Sequence, residues 1–195
     1  PSLQRIRSAA SEGPFLQAYI GGFLMSASLF VPFVFLVRYA TDHGISKRDA
    51  ALLLSVLGAS NIVCRLVTTA VAGRFGATRV YVLCFAALPF GLGIWLVSGS
   101  SYVSLALFAA LLGVSHGGYV ALSPEVAADL FGVANLGTML GTLWTASGVA
   151  GLLSPVLAGS LIDAAGYHVT IAVAIAVAAL AALSQRGLER HTRPT

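Results

Sequence analysis

The chain has 195 residues, of which 57% are hydrophobic and only 9% charged, and its mean hydropathy is +0.89. A soluble domain carries about a quarter charged residues, so this composition excludes one and specifies an integral membrane protein. The formal charge of +4 sits mostly on arginines at the chain ends and in short loops, which suits an anionic leaflet and implies no nucleic-acid partner.

Residues 1–14 are polar, hold Arg5, Arg7 and Glu12, and are expected to form a cytoplasmic juxtamembrane tail or the end of a linker. The chain starts at Pro1 with neither Met nor a signal-peptide pattern, which suggests a fragment of a longer protein. Residues 15–185 are read as six transmembrane helices. The first, about Phe15 to Tyr39, is long enough to cross ~30 Å of hydrocarbon with some tilt. Pro32 is expected to kink it, and Ser26, Ser28 and Phe30 before the kink are candidates to line a cavity, against the alternative that the serines bond back to their own helix. The polar loop Thr41 to Asp49 ends in Ser46 and Asp49, spaced as a capping box that starts the next helix.

The second span, Ala50 to Phe75, contains Arg65. A cation inside a hydrophobic span costs about 2.5 to 3.5 kcal/mol on insertion scales, so it persists where a cavity, a partner or a substrate compensates. Asn61 lies four residues earlier, and Gly58 and Thr68 share the same arc, which together make a polar stripe expected to face protein or water. The rival reading is snorkelling toward the interface near Ala72, roughly 10 Å of helix rise away. Cys64 and Cys84 fall inside spans and read as small packing residues, not as a disulfide or a metal site.

Arg74 and Arg79, in the short loop before the third span, read as orientation anchors. That span, about Val80 to Val97, holds Pro89, Gly91 and Gly93, glycines expected at close helix contacts. The fourth, about Tyr102 to Leu122, carries His116 among Ser115, Gly117, Gly118 and Tyr119, where a hydrogen-bonded core histidine and one reaching a cavity both remain open. Pro124 is expected to end that helix, leaving Glu125 and Asp129 on an interfacial turn as a latch to nearby arginines. The fifth span, about Leu136 to Ile162, repeats small residues through Gly137, Gly141, Gly148, Gly151 and Gly159, so neighbouring helices are expected to approach it closely, with Trp144 and Thr145 in packing roles. After a turn at Asp163 to Gly166, the sixth span, Tyr167 to Leu183, is mostly alanine and valine, and residues 186–195 form a basic cytoplasmic tail.

Six spans put both ends on one side. Arg5, Arg7, Arg74, Arg79, Arg186, Arg190 and Arg193 collect there, against Arg38, Lys47 and Arg48 opposite, so both termini are expected to be cytoplasmic. No phosphate-binding glycine loop, metal-spaced His or Cys set or nucleophile elbow is present, so the sequence gives no enzyme reading and calls for no cofactor or metal.

The run Leu29 to Val67, LFVPFVFLVRYATDHGISKRDAALLLSVLGASNIVCRLV, resembles the seventh and eighth helices of the monocarboxylate transporter family within the major facilitator superfamily. Ser115 to Gly132 and Leu143 to Gly159 are similar to that family's tenth and eleventh helices. The resemblance covers nearly the whole chain. It implies an all-α membrane protein, the C-terminal six-helix half of a twelve-helix secondary transporter of the plasma membrane, whose partners are the N-terminal half, the lipid bilayer, a small organic anion and a proton.

In that family an arginine on the eighth helix meets the substrate carboxylate, and an aspartate four residues earlier takes part in proton coupling. Arg65 matches the arginine, whereas Asn61 stands at the aspartate position and cannot titrate. The family's tenth helix often has an aromatic near the place of His116. Arg65, Asn61, His116 and Phe30 are thus the expected substrate site, with Arg65 as anion anchor and the others as cavity wall. The departures leave open an aromatic or amino-acid-like substrate carried without proton coupling, and a six-span channel or non-transporting membrane subunit is the rival class.

Overall fold

A computed structural model describes residues 13–133 and 136–188. Expectations for the terminal tails, including Arg5, Arg7, Glu12, Arg190 and Arg193, lie outside these residues. The described chain is an all-α membrane bundle: α1 is Gly13–Asp42, α2 Lys47–Phe75, α3 Ala77–Ser98 and α4 Tyr102–Phe131. The last hydrogen-bonded run, Leu136–Gln185, is broken at Gly166 into α5 (136–165) and α6 (167–185). Each of the five runs is long and apolar enough to cross a membrane, and with the break at Gly166 the helical segments number six.

Local chemistry accounts for most boundaries. Ser46 accepts the Asp49 backbone N–H at 3.1 Å while donating to Asp49 Oδ2 at 2.7 Å, which starts α2. The expected turn after α5 shrinks to one residue, Gly166, whose φ of 82° and ψ of 175° redirect the chain where other residues would be strained. Gly166→Ala is therefore expected to cost about 1 to 3 kcal/mol, read as a lower unfolding temperature in detergent.

Pro124 does not end its helix, because α4 runs through it to Phe131. A proline removes one backbone bond, and in a span packed among neighbours the freed groups are satisfied again. Ser123, just before it, donates to the Tyr119 carbonyl. Glu125 and Asp129 accordingly lie exposed on a helix, not on a turn. Among the described residues the ion pairs are Arg38 with Asp42 and with Asp163, so the expected latch is not formed there.

The apolar core draws on every helix, from Met25 and Phe35 on α1 to Ile171 on α6, and between α3 and α4 the indole of Trp95 stacks on Phe108 at 5.2 Å. Close helix approach centres on α4. A Cβ on Gly117 would stand 2.6 Å from the Asn61 carbonyl, and one on Gly118 would collide with Cys84 Sγ. Of the α5 glycines, Gly151 and Gly159 meet neighbours from α1, while Gly137, Gly141 and Gly148 face open space. The alternation of small residues along α5 therefore marks a packed seam in its second half only. At the loop end α1 is tied to the α5–α6 corner by Tyr167, which donates to Asp42 at 2.8 Å. At the opposite end Gln185, two residues beyond the expected end of the sixth span, donates to the Gln17 carbonyl at 2.9 Å.

Candidate substrate site

Helical spacing puts Asn61 and Arg65 one turn apart on α2, and Arg65 Nε donates to Asn61 Oδ1 at 2.9 Å. That bond turns the guanidinium back along the helix, away from Ala72, the opposite of the direction snorkelling requires. A guanidinium has donors and no acceptor, so the amide oxygen must face it and the amide nitrogen is left for another partner. That partner is His116 on α4, with Asn61 Nδ2 3.0 Å from its Nδ1. An N–H donor needs a lone pair to receive it, so Nδ1 is unprotonated here and a neutral ring carries its proton on Nε2.

From α1, Phe33 meets the His116 ring edge-on at 5.3 Å, and Phe30 lies 6.3 Å from Phe33. Phe30 in turn rests on α5, where a Cβ on Gly151 would stand 3.0 Å from its ring. The fold therefore brings the four expected residues into one row across three helices, Phe30, then His116, Asn61 and Arg65. Phe33, which joins Phe30 to His116, was not singled out in the sequence, although it lies three residues from Phe30 and so on the same helical face.

Not every expected neighbour joins the row. Thr68 is buried and its hydroxyl bonds to the Cys64 carbonyl at 2.7 Å, while Ser28 bonds back to Leu24 at 3.0 Å. Asn61 is nearly buried at 8% exposure, whereas Arg65 is exposed on an open face beside Leu66, itself 73% exposed. Among the described residues no carboxylate lies within ion-pair distance of Arg65. A cation at the edge of an apolar face, held on one nitrogen, keeps the rest of its planar fork for a bidentate acceptor.

This bundle, with an arginine fixed inside a span, has counterparts among known proteins. Residues 18–194 match the sequence family described as the Major Facilitator Superfamily. The chain belongs to that superfamily. It is 34% identical over 153 residues to an MFS-type transporter of Gibberella moniliformis, covering 78% of this chain and 37% of that protein. It is 34% identical over 160 residues to Monocarboxylate transporter 3 of Rattus norvegicus, covering 80% of the chain and 33% of the relative. Against Monocarboxylate transporter 4 of Gallus gallus the identity is 32% over 200 residues, covering 95% and 42%. The chain thus spans between a third and about two fifths of the length of these relatives. These matches place it in a monocarboxylate transporter-like branch of the major facilitator superfamily.

A second polar row of this superfamily member runs beside the first. Ser26 on α1 donates to Ser147 on α5 at 2.8 Å, and Tyr119 on α4 is 3.2 Å from the same Ser147 oxygen. The Tyr119 ring lies 5.6 Å from that of Trp144, and Thr145 is 3.2 Å from the Tyr19 hydroxyl, so Thr145 bridges helices where only packing was expected. Ser147 stands in no chemical motif of the sequence. Its signal is positional, one turn after Trp144 on the helix facing Ser26. Removing the phenol oxygen with Tyr119→Phe is expected to cost about 0.5 to 1.5 kcal/mol, measured as a lower melting temperature of the purified protein.

Proposed function

We propose that this chain is the C-terminal six-helix half of a secondary transporter that moves small organic anions, monocarboxylates first among them, by alternating access. The observation that carries this reading is Arg65, a mid-span guanidinium without a carboxylate partner among the described residues, anchored through one nitrogen on an open face. A second six-helix half facing that surface would enclose the row and exclude water, where an arginine–carboxylate pair is stronger than in solution. Rocking the halves apart re-wets the pair and releases the cargo. In this reading Asn61, His116 and Phe30 form the wall, the membrane is the plasma membrane, and both termini are cytoplasmic.

A second reading has its own observation. The wall is a run of aromatic groups, Phe30, Phe33 and His116, and Asn61 beside it is uncharged. Such a surface suits an aromatic or amino-acid-like cargo that carries a carboxylate for Arg65 and a ring for the wall.

The test is uptake of radiolabelled pyruvate by the full-length protein in proteoliposomes, with lactate and phenylalanine as competitors. Inhibition by lactate supports the monocarboxylate reading, and inhibition by phenylalanine alone supports the second. No uptake of any carboxylate would overturn both.

A further inference from the structure

Asn61 stands between two groups that make opposite demands on it. Arg65 Nε is always a donor and holds the amide oxygen, at 2.9 Å. His116 Nδ1, 3.0 Å from the amide nitrogen, is an acceptor only while it carries no proton. A proton taken from water onto Nδ1 turns that acceptor into a donor, so the amide must rotate to present its oxygen to the ring. Its NH2 group then faces Arg65 Nε, donor against donor, and the arginine tether is lost.

Resting on the anion-carrier reading, we propose that Asn61 is a proton-operated latch: it parks Arg65 while His116 is neutral and frees the whole guanidinium for a carboxylate when His116 takes a proton. Asn61 is here a positioning residue, and His116 is the group that carries the proton.

The surroundings leave few other groups to do this. Arg65, from α2, is the charged side chain in the hydrogen-bonded row that ends on the ring, and among the described residues no carboxylate is paired with it. Cys64, also on α2, gives its thiol hydrogen to the Val114 carbonyl at 3.1 Å, and Ser115 on α4 is turned away to the Cys84 carbonyl at 2.7 Å. From α1 the ring meets Phe33, which does not titrate. Two positive charges placed this close need a counter-ion, and the carboxylate that Arg65 captures provides it. Proton and anion therefore favour each other's binding, and by linkage the effect is reciprocal. When the anion leaves, the charges again repel, Nδ1 returns its proton to water, and the amide closes on Arg65.

The experiment uses the full-length protein in proteoliposomes with radiolabelled pyruvate, comparing two modes. One is accumulation driven by a pH gradient; the other is exchange against internal pyruvate at equal pH. His116→Gln, which cannot titrate, is expected to lose pH-driven accumulation by tenfold or more, a larger loss than it causes in exchange at equal pH. Asn61→Leu removes the latch and is expected to make pyruvate exchange independent of pH between acid and neutral conditions. Accumulation by His116→Gln equal to wild type, with exchange intact in both, would overturn the latch alone. Absence of both modes in the wild type would overturn the carrier reading and the latch with it. A measurement that needs no cargo is histidine nitrogen NMR of the full-length protein in nanodiscs, where the neutral His116 ring is expected to carry its hydrogen on Nε2. A hydrogen on Nδ1 would refute the latch whatever the transport assays give.

Discussion

On the anion-carrier proposal, replacing Arg65 by alanine in the full-length protein is expected to cut pyruvate uptake by about 10- to 100-fold, because a hydrogen bond to a charged group contributes about 1.5 to 3 kcal/mol. The fold should survive the change. Among the described residues the side chain's hydrogen bond is to Asn61, one turn away on its own helix, so no interhelical contact depends on it directly. Arg65→Lys separates charge from geometry. It keeps a cation at the site but loses the planar fork, so uptake should fall by less, with the deficit in KM more than in kcat. Arg38→Ala is the matching control, since its pairs with Asp42 and Asp163 are long, at 3.8 Å, and exposed. Surface pairs of that kind contribute at most about 1 kcal/mol, and pyruvate uptake should be unchanged. Wild-type uptake in both Arg65 variants would remove Arg65 from the site.

The parts of this molecule legible in the sequence are those written by strong, local physics. Long apolar runs give helices because a backbone in hydrocarbon must satisfy itself, and a lone arginine stands out because its insertion is costly. The capping pair Ser46 and Asp49 likewise acts within four residues, and its bonds form as spaced. Pro124 misled because a proline's local effect is only one lost bond, and the packing of a long span outweighs it. The row itself was half visible. Arg65 with Asn61 follows from spacing along one helix, but the bond from Asn61 to His116 joins residues 55 apart in sequence, and which face of α4 meets α2 is not encoded by any neighbour of His116. The α5 glycines show the same limit from the other side: a small-residue repeat says that approach is possible, and only the arrangement of the bundle says where it happens. Tyr119, Ser147 and Ser26 form a network for which no single helix gives the pattern.

Gly117 is where packing and site meet, and Gly117→Ala is expected to destabilise the protein and misalign the site together. In an unobstructed helix interior the exchange of glycine for alanine is favourable by about 0.5 to 1 kcal/mol, through lost freedom of the unfolded chain. Gly93 is such a place, with nothing within 4 Å of an added Cβ, and Gly93→Ala should raise the melting temperature or leave it unchanged. At Gly117 the added carbon would stand 2.6 Å from the Asn61 carbonyl and 3.2 Å from Cys64 Cβ. The nearest obstacle is backbone, which cannot rotate aside as a side chain does, so α2 and α4 must separate. Overpacking of this kind costs about 1 to 3 kcal/mol, which reverses the sign of the substitution relative to Gly93. Because the carbonyl that is pushed belongs to Asn61, the displacement stretches the 3.0 Å contact to His116 on the neighbouring residue of α4. Gly117→Ala should therefore lower the melting temperature and reduce pH-driven pyruvate accumulation, while Gly93→Ala does neither. Equal melting temperatures for the two variants would mean that α2 and α4 do not touch at Asn61, and the row from Phe30 to Arg65 would lose the contact that joins its two ends.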